Sequence, residues 1–135
     1  MANALVGKRS VTWTFVAPDE EAAEVLRTFF DGHMDFMKEK CKQVGDEKLI
    51  IYYVSEAPEY SDKNKQFLKW FSGKYPKKTG RIVFTLNEIY EKEDGLHHHY
   101  IESEPFREAT MDIINEWKIE LTTYNQMIIR QSLWD

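Results

Sequence analysis

The segment at residues 81–90 constrains the fold more than any other part of the chain. Its sequence alternates two sets of side chains, and one set comprises Ile82, Phe84, Leu86, Glu88 and Tyr90. A period of two is typical of a β-strand, in which successive side chains point to opposite faces. The segment therefore predicts a long strand with two useful faces, and one face is largely apolar but includes a carboxyl group.

Three further strands are expected. Residues 10–16 alternate in the same way, with Val11, Trp13 and Phe15 directed toward a core. Residues 49–54 are apolar or aromatic at every position, which fits a strand that is covered on both faces. Residues 126–134 are expected to close the chain as the fourth strand.

Two helical regions lie between these strands. Acidic residues at positions 19–21 suit the first turn of a helix that runs to about residue 43, because carboxylates favour the positive end of the helix dipole. Apolar or aromatic side chains and one histidine recur in it at helical spacing: Ala22, Val25, Leu26, Phe29, Phe30, His33, Met37 and Cys41. A short helix at residues 97–101 and a longer one at 106–117 form the second region.

Residues 56–80 form a lysine-rich insert that contains Pro58, Pro76 and Gly80. Within it, apolar residues at positions 67, 68, 70 and 71 predict one short amphipathic helix in a long connection. The insert is interpreted as a lid over a pocket, as part of a dimer interface or as a packing helix, and packing or interface is the preferred interpretation.

The order of elements is βαββαβ, the ferredoxin-like split motif. This α+β fold has an antiparallel sheet with two helices on one face. A chain of 135 residues suits one core, so residues 1–135 are expected to form a single domain with the insert at about 56–80. The face without helices would be exposed in a monomer, which predicts a homodimer through the open sheet face.

Composition excludes several classes of function. The chain has 23 Asp and Glu against 18 Lys and Arg, a net charge of -5, which argues against binding to nucleic acid. Its single cysteine, Cys41, excludes an internal disulfide and predicts a cytoplasmic protein. No run of about 20 apolar residues occurs, so neither a membrane span nor a signal peptide is expected.

Residues 83–106 resemble the signature region of the antibiotic biosynthesis monooxygenase (ABM) family. In this region, residues 88–91 match a strand motif, Leu96 and His99 match a following helix, and Ser103 and Phe106 match its ending, with one extra residue between His99 and Phe106. The resemblance implies a dimeric α+β barrel with a pocket between the sheet and the helices. It also implies a small-molecule enzyme, with cofactor-independent oxygenases and isomerases among its relatives.

Glu88 and His99 are the predicted catalytic residues. A carboxylate on an apolar face must be paired or protonated, so a Glu88 to His99 pair across the turn after the strand is a plausible proton-transfer unit. The structural alternative is that Glu88 accepts hydrogen bonds that fix this turn.

Trp13, His33, Tyr52 and Tyr90 are the predicted substrate-binding residues. His33 lies on the apolar side of the first helix, and the other three would form an aromatic wall for a flat ligand. The alternative is ordinary core packing for all four.

No metal site is expected at the three consecutive histidines, residues 97–99. Successive helical residues point about 100° apart, so three in a row do not converge on one ion. No cofactor is expected either, because a phenolate or an enolate can itself react with oxygen.

Two functions from different classes remain. The first is an ABM-like enzyme that acts on a quinol, a phenol or an enolisable carbonyl. The second is a non-catalytic domain that binds a small aromatic or apolar ligand or takes part in an interaction. The second function predicts that structural hydrogen bonds satisfy Glu88 and that no cavity of about 300 Å³ or more opens beside His99.

Overall fold

The computed structural model describes residues 4–133. Its elements follow the chain in the order β1 (Arg9–Ala17), α1 (Glu20–Lys40), β2 (Leu49–Tyr60), a 3₁₀ helix (Lys63–Ser72), β3 (Lys78–Tyr90), α2 (Glu93–Ser103), a second 3₁₀ helix (Glu104–Phe106), α3 (Arg107–Glu116) and β4 (Glu120–Ile128).

The four strands form one sheet in the order β2-β3-β1-β4, and every neighbouring pair is antiparallel. The two central strands, β1 and β3, pair in a continuous register from Arg9 opposite Tyr90 to Ala17 opposite Ile82. The connection from β1 through α1 to β2 leaves room for β3 between them, which is the split arrangement of the ferredoxin-like fold. The predicted α+β fold class is confirmed.

The core lies between the sheet and the helices. On the helix side of β1 and β3, alternate residues are almost completely buried, including Phe15 and Phe84. They pack against α1, where Phe30 contacts both phenyl rings at centroid distances of 5.2 and 5.7 Å. The alternation of residues 81–90 thus places the predicted set of side chains in the core.

Helix α1 begins where the acidic residues predict. The Asp19 carboxylate accepts a hydrogen bond of 2.9 Å from the backbone N–H of Ala22, which caps the helix. The helix ends at Lys40, three residues before the expected end, and the Cys41 N–H bonds to the carbonyl of Met37.

Strand β2 differs from the prediction in both length and burial. It runs to Tyr60 instead of residue 54, and none of its side chains is fully buried. The expectation of a strand covered on both faces is wrong for the protomer, because β2 lies at the edge of the sheet and Tyr53 is exposed. Its aromatic and β-branched residues are nevertheless typical of a strand.

The predicted insert is mostly a long hairpin. Residues 56–60 and 78–80 belong to β2 and β3, and the hydrogen bond from Ser61 N to Lys77 O closes the connection between them. We call residues 61–78, which include Lys78 as the first residue of β3, the arm. Its helix is a 3₁₀ helix interrupted by left-handed backbone at Asn64 and Lys65, and it buries none of its residues. It is therefore not a packing helix within the protomer.

The bounds of α2 and of β4 also differ from those that the sequence predicts. Helix α2 is longer than the predicted 97–101, whereas α3 agrees with the predicted 106–117. Strand β4 begins six residues before the expected 126 and ends at Ile128, and Trp134 lies outside the described residues. The Thr and Tyr residues at 122–124 have high strand propensity without being an apolar run, and they pair with β1.

The other face of the sheet has no buried residue and no charged residue along its central rows. We call this the open face, and by register it includes Ser10, Thr12, Thr14, Val16, Ile51, Tyr53, Ser55, Ala57, Val83, Thr85, Asn87, Ile89, Thr122, Tyr124 and Met127. Glu120 lies opposite Val16 at one end of this face and forms an ion pair of 3.0 Å with Arg81. Thr12 and Asn87 are joined across the strands by a hydrogen bond of 3.1 Å.

Candidate active site

A cavity of about 580 Å³ lies between the helix side of the sheet and the three helices. Its walls are mainly apolar and aromatic. It is lined by Trp13, Phe15, Thr28, Phe29, Gly32, His33, Phe36, Leu86, Glu88, His99, Tyr100, Ser103, Phe106, Arg107, Ala109, Thr110, Met111 and Ile113. This volume lies within the range of about 300–1,000 Å³ that is typical of small-ligand pockets.

Helix α1 supplies one wall through a second stripe of residues beside its core stripe. Thr28, Phe29, Gly32, His33 and Phe36 recur at helical spacing and all line the cavity. Gly32 has no side chain, and no atom lies within 4 Å of the position that a Cβ there would occupy. The helix therefore leaves open space at this turn.

Glu88 lies on the sheet side of the cavity and is only 2% exposed. Its Oε2 accepts a hydrogen bond of 2.6 Å from the hydroxyl of Tyr90, which is also buried. Burial raises the pKa of Glu88 to about 7, although the hydrogen bond from Tyr90 acts in the opposite direction. At neutral pH the carboxyl group therefore exchanges readily between its acid and base forms.

His99 lines the same cavity from α2 and is 5% exposed. Its Nδ1 is buried and has no hydrogen-bond partner within residues 4–133. Burial, followed by the neighbouring His33 and His98, lowers the pKa of His99 to about 4. The imidazole is neutral at pH 7 and has a polar atom available to a ligand.

His33 lies beside His99, with ring centroids 5.9 Å apart in an edge-to-face arrangement. A hydrogen bond of 2.9 Å joins its Nδ1 to the hydroxyl of Tyr52. Burial lowers the pKa of His33 to about 4, and burial together with the charge of Glu88 raises the pKa of Tyr52 above its ordinary range. Both histidines are thus neutral groups in an apolar environment.

Four of the six predicted site residues line the cavity: Trp13, His33, Glu88 and His99. Tyr52 and Tyr90 do not line it. Tyr52 is hydrogen-bonded to His33 and Tyr90 to Glu88, and both of these partners line the cavity. Within the described residues, no hydrogen bond or ion pair joins Glu88 to His99, so the directly bonded pair does not form in this structure.

The cavity also contains residues that the sequence pattern did not indicate, among them Thr28, Gly32, Phe36 and Arg107. The signal for those on α1 was a second stripe at helical spacing beside the core stripe. No comparable signal marks Arg107, whose Nη2 donates a hydrogen bond of 2.6 Å to the carbonyl of Tyr100.

The indole of Trp13 lies at the same end of the cavity as Tyr100. Burial raises the pKa of Tyr100 to about 12, and the nearby indole of Trp13 acts in the opposite direction. The indole nitrogen is buried and makes no hydrogen bond of normal geometry in the described part of the chain. The indole N–H is thus a buried donor, and His99 Nδ1 is a second buried polar atom, without a protein partner in the described chain.

Helices α2 and α3 and the 3₁₀ turn between them form the mouth of the cavity. Phe106 and Met111 line the cavity and are also about half exposed, at 55% and 46%. Phe106 packs edge-on against Phe36 of α1, with centroids 5.3 Å apart. The opening is therefore apolar and has aromatic edges.

Residues 4–133 include no group of three or more His, Cys, Asp or Glu side chains placed to hold a metal ion. None of the helices in the same range combines the length and the apolar character needed to span a bilayer.

The fold and the cavity define a ferredoxin-like α+β protein with a largely apolar cavity between its sheet and its helices. The same fold occurs in a putative antibiotic biosynthesis monooxygenase from Deinococcus radiodurans, with 13% sequence identity, a TM-score of 0.50, and coverage of 92% of this chain and 98% of that chain. This likeness confirms the predicted resemblance to the ABM family at the level of the fold. No protein-family model and no curated protein sequence matches the chain.

Proposed function

We propose that the protein is an ABM-like small-molecule enzyme in which Glu88 accepts a proton from a phenol, a quinol or an enolisable carbonyl compound. The observation that supports this function is a buried carboxyl group on an apolar cavity, with a pKa of about 7. A base with this pKa is matched to proton transfer at neutral pH.

The walls of the cavity suit a flat, neutral substrate. Trp13, Phe29 and Phe36 offer aromatic surfaces, and few polar groups interrupt them. Apolar walls with a small number of placed polar groups are the usual composition of a small-molecule site, in which the polar groups fix the orientation of the ligand. Glu88 and His99 are the polar groups of the lining that are almost completely buried.

The chemical step assigned to the protein is a proton transfer. The Glu88 carboxylate takes the proton of an O–H or an activated C–H group, and the substrate becomes a phenolate or an enolate. This anion is electron-rich and reacts with dioxygen, the oxidant. For a methylene group between two aromatic rings, R₂CH₂ and O₂ give R₂C=O and H₂O.

His99 is assigned a hydrogen-bonding role in this reaction. Its imidazole is neutral, and Nδ1 has no partner in the described chain, so it is free to bond to the substrate oxygen on which negative charge develops. Tyr90 positions Glu88, and Tyr52 positions His33. Trp13 and His33 contact the body of the substrate.

A ligand-binding domain without catalysis is the second candidate. One observation favours it: the hydrogen bond from Tyr90 partly satisfies Glu88, as expected for a structural carboxyl group. This candidate includes a version in which side chains fill the site. The cavity argues against that version, because about 580 Å³ is open beside His99.

Oxygen consumption by the purified protein with a panel of quinols, anthrones and enolisable carbonyl compounds tests the proposal. The expected result is turnover that Glu88→Gln abolishes and His99→Ala reduces. Glu91→Gln is the matched control, since Glu91 lies on the surface in an ion pair with Lys8. Activity that is the same in all three variants would refute the assigned roles, and binding without turnover would support the second candidate.

The open face is proposed to be buried in a homodimer. Its central rows include no charge, and Glu120 at its end is paired with Arg81. Depletion of charged residues is the compositional mark of an interface core. Sedimentation velocity at micromolar concentration is expected to give the dimer mass, and a monomer would contradict the proposal.

The cytoplasm is the proposed location, since the chain has one cysteine and no internal disulfide, and cell fractionation tests it.

A further inference from the structure

The arm exposes an unusual amount of apolar surface. Phe71 is 84% exposed and Tyr75 is 72% exposed, and three further apolar residues are close to half exposed: Phe67, Leu68 and Trp70. The ring of Trp70 packs against those of Tyr60 and Tyr75, with centroids 5.1 and 4.9 Å away. A cluster of large exposed side chains on one projecting segment marks a contact surface.

The charge of the arm is opposite to that of the rest of the chain. Residues 61–78 contain six lysines and one aspartate, a formal charge of +5, which leaves -10 on the other residues. All six lysines are exposed, and none forms an ion pair within residues 4–133: Lys63, Lys65, Lys69, Lys74, Lys77 and Lys78. The arm therefore presents apolar side chains surrounded by unpaired positive charge.

The mouth of the cavity has the complementary composition. Its exposed apolar residues are Ile101, Phe106 and Met111. Four acidic residues lie within residues 101–112, and the described chain provides no ion-pair partner for any of them: Glu102, Glu104, Glu108 and Asp112. The one basic residue of this stretch is Arg107, so its formal charge is -3. This region is an apolar opening surrounded by unpaired negative charge.

We propose that the arm of one copy of the chain docks on the cavity mouth of a second copy. Opposite charges and apolar centres match across the two surfaces, which is how interfaces select a partner and a register. In the protomer, no hydrogen bond, ion pair or ring contact connects the arm to residues 101–112. An anionic bilayer fits less well, because the -10 of the remaining chain opposes its approach.

Docking makes the second copy part of the site. Phe106 and Met111 would be covered by aromatic side chains of the arm, and the cavity would be separated from bulk water. Exclusion of water strengthens electrostatic interactions inside a site. The contact is separate from the open face and does not depend on the proton chemistry assigned to Glu88.

Photocrosslinking tests the contact directly. The photoreactive residue p-benzoylphenylalanine is placed at Phe71, and ¹⁴N- and ¹⁵N-labelled copies of this variant are mixed before illumination. Crosslinked peptides are then identified by mass spectrometry. The expected products join residue 71 to the segment 101–112 and pair light with heavy peptides, which shows contact between copies.

Three results would overturn the proposal: products of one isotope only, products to other segments, or no product. The same probe at Val44, which is exposed and outside the arm, is the control for random collision. Co-sedimentation with phosphatidylglycerol vesicles tests the bilayer alternative. Vesicle binding without light-heavy products would show that the arm binds a membrane and not a second copy of the chain.

Charge reversal supplies a second, independent readout. Lys69→Glu with Lys74→Glu, and separately Glu104→Lys with Glu108→Lys, are each expected to lower the crosslinking yield by about tenfold. All four changes in one chain restore opposite charges and are expected to recover the yield. Lys38→Glu with Lys40→Glu on α1 is the matched control. Equal yields in all variants would contradict electrostatic docking, and sedimentation separately reports whether the open-face dimer forms.

Discussion

The hydroxyl of Tyr90 donates a hydrogen bond of 2.6 Å to Oε2 of Glu88, two residues earlier on the same face of β3. Both side chains are nearly inaccessible to solvent. A buried carboxyl group with one strong donor retains acid–base activity near neutral pH, because burial favours the acid form and the donor favours the base form. The neighbouring tyrosine thus adjusts the group that the proposed chemistry uses.

Removal of this donor by Tyr90→Phe is expected to raise the pKa of Glu88 above its present value of about 7. A hydrogen bond to a charged group is worth about 1.5–3 kcal/mol, so the expected increase is about one to two pH units. The carboxyl ¹³C shift as a function of pH measures it, and the pH profile of any activity should move in the alkaline direction. Tyr53→Phe on the open face is the control, and equal titrations in both variants would contradict the assignment.

Glu88→Gln is expected to change how stability depends on pH. The folded-state pKa of about 7 lies above the ordinary value of 4.5, so the folded state binds this proton more tightly than the unfolded state. The resulting stability is complete below pH 4.5 and is lost as the pH rises to 7. As the pH rises across this range, the free energy of unfolding of Glu88→Gln should increase relative to that of the natural chain, by about 3 kcal/mol at most. Urea unfolding measures this difference. A difference that does not vary with pH would contradict the burial of a titrating carboxyl group.

The sequence was most informative where covalent geometry determines the result. Alternation along a strand fixes which side chains share a face, so Glu88, Leu86 and Tyr90 were assigned correctly to one buried face. The position of His99 on the helix after this strand follows from a short connection. Neither inference required knowledge of a distant part of the chain.

Contacts between distant segments were not predictable in the same way. The absence of a bond between Glu88 and His99 depends on how α2 packs, and the hydrogen bond of His33 to Tyr52 depends on where β2 pairs. Strand lengths likewise depend on partners. Strand β2 continues to Tyr60 because β3 pairs with it as far as Lys78, which no local pattern indicates.

Gly95→Ala is expected to destabilise the fold and to disturb Tyr90. A Cβ at Gly95 would lie 2.7 Å from the carbonyl oxygen of Glu47 and 2.8 Å from Cδ1 of Tyr90, so the start of α2 must shift. Overpacking of this kind costs about 1–3 kcal/mol, which urea unfolding measures. Gly32→Ala is the matched control, because open space surrounds its Cβ position and alanine should stabilise α1 by about 0.5–1 kcal/mol. Equal effects of the two substitutions would show that α2 is not packed closely on Tyr90.

Thr85→Lys is expected to convert the proposed dimer into a folded monomer. Thr85 lies near the centre of the open face, between Thr14 and Ser55, and a buried unpaired charge there is strongly unfavourable in an interface. Sedimentation velocity measures the mass, and circular dichroism verifies the fold. Glu39→Lys on the exposed side of α1 introduces the same side chain elsewhere and should leave the dimer intact. A dimer that survives Thr85→Lys places the interface on another surface.

His33 and His99 are expected to remain neutral at pH 6 and to take up protons only near pH 4, because burial opposes the charged form of both rings. Long-range ¹H–¹⁵N spectra of the imidazole nitrogens distinguish the two forms. The unfolded state, with its ordinary histidine pKa of 6.5, binds more protons between pH 6.5 and 4. The free energy of unfolding therefore decreases as the pH falls through this range. The decrease should be smaller for His99→Gln than for the natural chain. A ring of His99 that is charged at pH 6 would remove the neutral hydrogen-bonding group from the proposed site. It would also require an anionic partner in the cavity, and Glu88 is the acidic residue that lines the cavity.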